Sequence, residues 1–179
     1  MMPSERWAGA AMFGEFLAGA AANRELWSEF YRRARVDAAA VERVAALGGR
    51  WHLLALSEDW CGDAVNTIPV LARLAELAPN LELRLLGRDA NPDLMDTHLT
   101  GTSRSIPVVM VLDGQLRETG WWGPRPSELQ RWFVETGRRL PPKERYPELR
   151  RWYARDRGRS TVEEVVTLLE RSARLRASA

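Results

Sequence analysis

The sequence predicts an α/β fold in which helices pack on one small mixed β-sheet. The apolar run 51–56 and the strand-like run 81–86 are joined by a helical stretch, 65–78, and this makes a β-α-β unit. The run 106–112 is the richest in β-branched and apolar residues, so we expect a third strand there. Apolar residues at helical spacing on both sides of these runs predict helices that cover the sheet.

A hairpin completes the predicted sheet. Asp113-Gly114 follows the third strand and is a two-residue turn signal, so residues 115–120 should return antiparallel. Helices are predicted before, between and after the strands, over residues 10–48 with a segment at 41–47, from Asn91 to Gly101, from Ser127 to Arg139, over 143–157, and from Ser160 onward. Ser127 with Gln130 and Ser160 with Glu163 fit capping boxes.

Length and composition predict one soluble globular domain. The chain has 179 residues, of which 45% are hydrophobic and 28% charged. No apolar run approaches the roughly 20 residues of a membrane helix, and the N-terminus lacks a secretory pattern. One cysteine cannot form an internal disulfide, so we expect a cytoplasmic protein. The predicted parts are a helical N-terminal extension over 1–50, a core over 51–140 and a helical C-terminal extension over 141–179.

Charge is distributed unevenly along the chain. The net charge is +2, yet residues 123–179 alone carry +6. The arginine-rich segment 138–159 contains Tyr146, Trp152 and Tyr153, and such a combination of basic and aromatic residues can bind the phosphate groups of nucleic acids. Acidic residues interrupt it, however, and an arginine-rich solvated helix face is more common. Nucleic-acid binding is therefore the weaker alternative.

Cys61 is the strongest candidate for a chemically reactive residue. It lies between the first predicted strand and the helix that follows, where unpaired backbone N–H groups and the helix dipole stabilise a thiolate. Gly62 allows a tight turn that leaves the sulfur uncovered, and the placement after Trp60 favours an exposed, reactive thiol over an inert buried one.

Three carboxylates near Cys61 oppose its ionisation. Glu58, Asp59 and Asp63 lie within three residues of the thiol, and each should raise the Cys61 pKa. The helix-start amides act in the opposite direction. We expect a modest net lowering of the pKa if Asp63 points away from the sulfur.

At this point the sequence resembles the thioredoxin superfamily. Four segments carry the resemblance in the family's order: Trp60-Cys61-Gly62-Asp63 with Pro69 further along the helix, Asp89-Ala90-Asn91-Pro92, Ser105-Ile106-Pro107, and Asp113-Gly114. The resemblance covers about residues 51–122. It implies a thioredoxin-like fold, a cis Pro107 facing the sulfur, and a substrate groove shaped by Trp60, Gly62, Ile106 and Pro107. More narrowly, the motif looks like the bacterial subgroup with Trp-Cys-Gly-Asp.

The departures from the family pattern restrict the chemistry. The position of the family's second, resolving cysteine is Ala64, and that of its buried strand carboxylate is Ala55. A dithiol enzyme attacks with one thiol and expels the product with the other. Cys61 alone can perform only the first step, with Asp63 in the family's proline position tuning the thiolate.

Other side chains admit both functional and structural interpretations. His52 and His98 are the only histidines and should be structural or surface residues, because a metal site needs more ligands nearby. Trp121-Trp122 could line a ligand site, although anchoring the next helix is the more common role. Arg104 could contact an anionic thiol substrate or Asp63.

The leading functional prediction is monothiol thiol–disulfide exchange. Cys61 would form a mixed disulfide with a disulfide-containing protein or a small thiol such as glutathione, and an external thiol would resolve it. The alternative is a non-catalytic thioredoxin-fold module that binds a peptide or protein in the same groove. Whether the chain is an enzyme stays open. We expect no cofactor, no metal and no membrane partner.

Overall fold

The computed structural model describes residues 1–177; residues 178 and 179, at the end of the predicted C-terminal extension, lie outside the described residues. The described strands are β1 (Ala11–Met12), β2 (Trp51–Ser57), β3 (Leu81–Gly87), β4 (Val108–Leu112) and β5 (Glu118–Trp122). The described helices are α1 (Ser4–Gly9), α2 (Phe13–Gly19), α3 (Arg24–Arg33), α4 (Ala38–Ala45), α5 (Gly62–Leu77), α6 (Pro92–Asp96), α7 (Ser127–Glu135), α8 (Pro142–Asp156) and α9 (Arg159–Ala177), with a 3₁₀ turn at Gly137–Arg139.

The five strands form one mixed sheet in the order β1-β3-β2-β4-β5. β2 pairs parallel with β3 and antiparallel with β4, and β4 pairs antiparallel with β5. β2 is therefore the central strand, and all of its residues are buried, which explains its nearly continuous apolar run. This mixed sheet with flanking helices is the α/β, thioredoxin-like fold that the sequence predicts.

Helices α5 and α9 pack together against the sheet. α5 contacts β3 and α9 contacts β5, and the close approach of Leu168 to Gly120 shows how tightly α9 lies on the last strand. α3 packs on α5, and α4 packs on α9. The site at the start of α5 is thereby enclosed by elements from both ends of the chain. Among the described residues, no helix has the length and apolar character needed to span a membrane.

Several local expectations differ from the structure. Ala11–Met12, within a segment that the sequence predicts as helical, is an edge strand that pairs antiparallel with β3. α6 ends at Asp96 rather than Gly101, so His98 follows the helix.

Neither predicted capping box forms. The N-cap of α7 is Pro126, and Ser127 bonds to Glu164 of α9. Ser160 lies inside α9, and its hydroxyl donates to Asp156. Partners outside the capping pattern, Glu164 for Ser127 and Asp156 for Ser160, bind these hydroxyl groups instead.

Candidate functional site around Cys61

Cys61 lies where the sequence predicts it, at the junction of β2 and α5. It is the N-cap residue of α5 in an extended conformation, and its carbonyl accepts the first helical hydrogen bond from Val65 N–H. The thiol donates a hydrogen bond of 3.4 Å to the carbonyl oxygen of Ile106, in the segment just before β4. The Ile106–Pro107 peptide bond is cis. The fold therefore brings Cys61 together with the Ile106-Pro107 segment.

The thiol is not exposed, contrary to the expectation drawn from Trp60 and Gly62. Only 7% of the surface of Cys61 is exposed to solvent. Burial raises the pKa of Cys61 to about 11, and the negative charge of Asp63 adds to the rise. The backbone N–H groups of Ala64 and Asp63 and the Arg125 charge act in the lowering direction but are outweighed. The expected net lowering is therefore wrong, because desolvation exceeds the helix-start effect.

Two of the three neighbouring carboxylates support the loop before α5. Asp59 Oδ2 accepts hydrogen bonds from Ala21 N–H at 2.7 Å and Ala22 N–H at 2.8 Å, so it ties the N-terminal segment to the site. Glu58 Oε1 accepts one from Asp89 N–H at 2.9 Å. Only Asp63 is among the causes of the raised Cys61 pKa.

Asp63 lies in a partly buried cluster that the sequence does not reveal. Its Oδ2 forms an ion pair of 2.5 Å with Arg125, and its Oδ1 accepts a hydrogen bond of 2.9 Å from the Tyr153 hydroxyl. The Arg125 guanidinium also lies 4.0 Å from the centre of the Phe133 ring. Burial, with the Asp63 charge next in size, holds the pKa of Tyr153 well above its ordinary range, so this hydroxyl stays a donor.

The predicted groove residues differ greatly in exposure. Trp60 is 50% exposed, and the Arg88 guanidinium stacks 5.1 Å from its ring centre. Gly62 is exposed and Asp63 is half-buried, whereas Ile106 and Pro107 are buried with Cys61. At this end of the sheet the Trp60 side chain is therefore exposed, whereas the neighbouring Cys61 thiol is buried.

The two positions that depart from the family pattern hold buried apolar residues. Ala64 and Ala55 are both fully buried, so neither a second thiol nor a carboxylate stands near Cys61 at those places. His52 and His98 are buried too. His52 packs against Trp7, and His98 bonds through Nε2 to Glu118 at 2.9 Å. Within residues 1–177, no group of three or more His, Cys, Asp or Glu side chains is placed to hold a metal ion.

Arg125 and Tyr153 are the site residues that sequence reasoning missed. Arg104, the arginine considered as a partner of Asp63, instead forms a two-bond pair with Asp96. Arg125 follows the last strand, where the run 121–126 could have directed attention to it. Tyr153 lies 90 residues beyond Asp63, and nothing in the sequence indicates that contact. Trp122 donates to Glu164 of α9, so it anchors the sheet to that helix.

The fold and the site define a thioredoxin-like protein with a single cysteine at the start of its first core helix. The sequence model of a protein family described as Thioredoxin, Thioredoxin_9, matches residues 10–140, and the chain belongs to this family. No curated protein sequence matches the chain.

Two solved structures share the fold over almost the whole chain. One is a protein of unknown function, PA1234, from Pseudomonas aeruginosa, with a TM-score of 0.75 and 22% identity. The other is an HIV epitope-scaffold, with a TM-score of 0.73 and 22% identity. Each comparison covers 95% of this chain and 98% of the other.

Proposed function

We propose that this chain is a thioredoxin-fold binding protein, which holds an extended peptide segment of a partner protein on the surface around Trp60. The observation that supports this function is the contrast between two adjacent side chains: Trp60 is 50% exposed, whereas Cys61 is 7% exposed. A partner that approaches this end of the sheet meets the indole ring and the stacked Arg88 guanidinium before the sulfur. Tryptophan and arginine are among the side chains enriched at binding hot spots.

The state of the thiol favours binding over catalysis. With a pKa of about 11, Cys61 is ionised in roughly one molecule in ten thousand at pH 7. The thiolate is the attacking species in disulfide exchange, so this protonated sulfur attacks slowly. Ala64 also leaves the chain without a resolving thiol. Cys61 then serves mainly as a small packed side chain beneath the binding surface.

Monothiol exchange is the second candidate, and the position of Cys61 supports it. The sulfur lies at the first turn of α5 and contacts Ile106 O beside Pro107. The Cys61 thiolate would attack a partner disulfide, form a mixed disulfide and release one partner thiolate. A glutathione thiolate would then attack the partner's sulfur and release the Cys61 thiolate. Under this function the chain fits the Trp-Cys-Gly-Asp subgroup, with Asp63 tuning the thiol.

Oxidised glutathione separates the two candidates. The native protein is incubated with it near pH 7.5, and intact mass is followed over hours, with a parallel sample in denaturant. A binding protein should show no adduct while native and one adduct per chain when denatured. A stoichiometric adduct on native Cys61 that a reducing thiol removes would contradict the binding function and support exchange.

A second experiment tests binding directly. Phage-displayed peptides are selected on the native protein, and their affinities are compared on Trp60→Ala and on Trp152→Ala, a half-buried tryptophan of α8 as the matched control. Loss of a hot-spot aromatic should weaken binding by about 30-fold or more. Peptides that bind Trp60→Ala as well as the parent would overturn the assignment of this surface.

We also propose a cytoplasmic protein of bacterial type. The single cysteine supports this location, because nothing in the chain depends on an internal disulfide. The proposed partner is a protein, or a low-molecular-weight thiol under the exchange function.

A further inference from the structure

A cavity of about 490 Å³, whose lining residues do not include Cys61, lies where α3, α5 and the junction of α8 with α9 meet. This volume is within the range of roughly 300–1,000 Å³ typical of small-molecule sites. Apolar groups form most of its walls, among them Phe30, Pro69, Val70 and the Tyr153 ring. The cavity can therefore bury the apolar body of a small ligand.

Two arginines and no carboxylate are among the described residues that line this cavity. Arg33 is already paired with Glu29 at 2.8 Å. Arg157 ends α8 in the left-handed conformation, with φ 56°, and its guanidinium has no ion-pair or hydrogen-bond partner within the described part of the chain. A guanidinium binds a carboxylate through two parallel hydrogen bonds. Arg157 thus supplies a free anion-binding group beside apolar walls.

Two contacts of the lining residues hold the walls in place. Gly158 has φ +80°, and a Cβ built there would stand 2.9 Å from Val70 Cγ1, so the α8–α9 junction lies directly on α5. The Tyr153 hydroxyl is fixed by its bond to Asp63. A cavity whose shape is set before binding loses little conformational entropy when it is filled.

We propose that this cavity binds a small amphipathic carboxylate, with the carboxylate on Arg157 and the apolar body against Phe30, Val70 and Tyr153. The ligand class is a single carboxylate on a hydrocarbon or aromatic body, such as a medium-chain fatty acid. This site is separate from the Trp60 surface, so the test of the cavity and the test of the proposed function give independent results.

Octanoate and octanamide are the probes, since they share a chain and differ in charge. Calorimetric titration of the full chain should show saturable binding of one octanoate, with octanamide weaker by about five-fold or more. Arg157→Asn should remove most of this preference while the fold is kept, because Asn tolerates the left-handed region. Arg155→Asn, on the exposed part of the same helix and outside the cavity lining, is the matched control and should bind like the parent.

A cavity-filling variant locates the ligand. Ala154 is one of the lining residues, so Ala154→Phe should weaken octanoate and octanamide alike. The proposal is overturned if octanoate shows no saturable binding in the millimolar range, if both probes bind equally, or if Arg157→Asn binds as Arg155→Asn does. Unchanged binding to Ala154→Phe would place the ligand elsewhere and overturn it as well.

Discussion

The Tyr153 hydroxyl donates a hydrogen bond of 2.9 Å to Asp63 Oδ1, and this bond joins α8 to the first turn of α5. The two residues are 90 positions apart; Tyr153 is buried and Asp63 is half-buried near Cys61. The other carboxylate oxygen pairs with Arg125 from the segment after β5. A single aspartate side chain therefore connects three parts of the chain around the thiol.

Removing this hydroxyl should destabilise the fold by a moderate amount. In Tyr153→Phe the ring still packs, but Asp63 loses one donor, so we expect unfolding free energy to fall by about 1 kcal/mol. Urea unfolding followed by circular dichroism measures the change. Tyr146→Phe in the same helix is the control, since Tyr146 is 51% exposed, and it should match the parent. Equal stability of the two variants would show that the Tyr153 bond contributes nothing net.

The Asp63 charge should be detectable in the reactivity of Cys61. The parent's iodoacetamide rate should rise with pH toward a midpoint near 11, the raised pKa of the buried thiol. Asp63→Asn removes a negative charge and leaves Arg125 unpaired, so both changes favour the thiolate and the midpoint should move down. Stability should fall by about 3 kcal/mol, because the side chains of the ion pair keep only 12% and 13% of their surface exposed.

Asp96→Asn is the matched control for that variant. Asp96 also pairs with an arginine, Arg104, but both side chains are about half exposed. Its loss should cost less than about 1 kcal/mol and leave the Cys61 profile unchanged. If Asp63→Asn and Asp96→Asn gave the same alkylation profile, Asp63 would have no part in tuning the thiol.

The core of the fold could be predicted from the sequence because its signals are local. The apolar run at 51–56 and the Pro92 helix start lie within the elements that they specify. Asp113-Gly114 lies in the connection between β4 and β5, but the return strand begins at Glu118 rather than at 115, so the connection is longer than the predicted two-residue turn. β1 was missed because a two-residue edge strand has no period, and only its pairing with β3 defines it. The partners of Asp63 were missed because tertiary packing selects them.

The contribution of His98 to the free energy of unfolding should decrease as pH rises. Its hydrogen bond to Glu118 raises the His98 pKa above the ordinary value of 6.5, so the folded state holds the proton more tightly than the unfolded state. The resulting stabilisation is complete below about pH 6.5 and is lost as pH rises through the folded pKa. The stability difference between the parent and His98→Gln should thus be larger at about pH 5.5 than at about pH 8.5, as measured by urea unfolding.

His52 supplies the opposite case and serves as the control. Burial lowers the His52 pKa, so the folded state disfavours its charged form, and its contribution is lost as pH falls below the ordinary value. The difference between the parent and His52→Gln should therefore favour the parent more at pH 8.5 than at pH 5.5. Identical pH trends for the two variants would contradict at least one of the two assignments.

The contact between Gly158 and Val70 should be sensitive to one methyl group. Gly158→Ala places a Cβ 2.9 Å from Val70 Cγ1 at a φ of +80°, so it combines overlap with an unfavourable backbone conformation. We expect unfolding free energy to fall by about 2 kcal/mol. Gly14→Ala in α2 is the control, because its added Cβ meets nothing within 4 Å and alanine favours a helix. Equal stability of the two variants would mean that the α8–α9 junction can shift to accept the added methyl group. That result would contradict a rigid cavity wall at this junction.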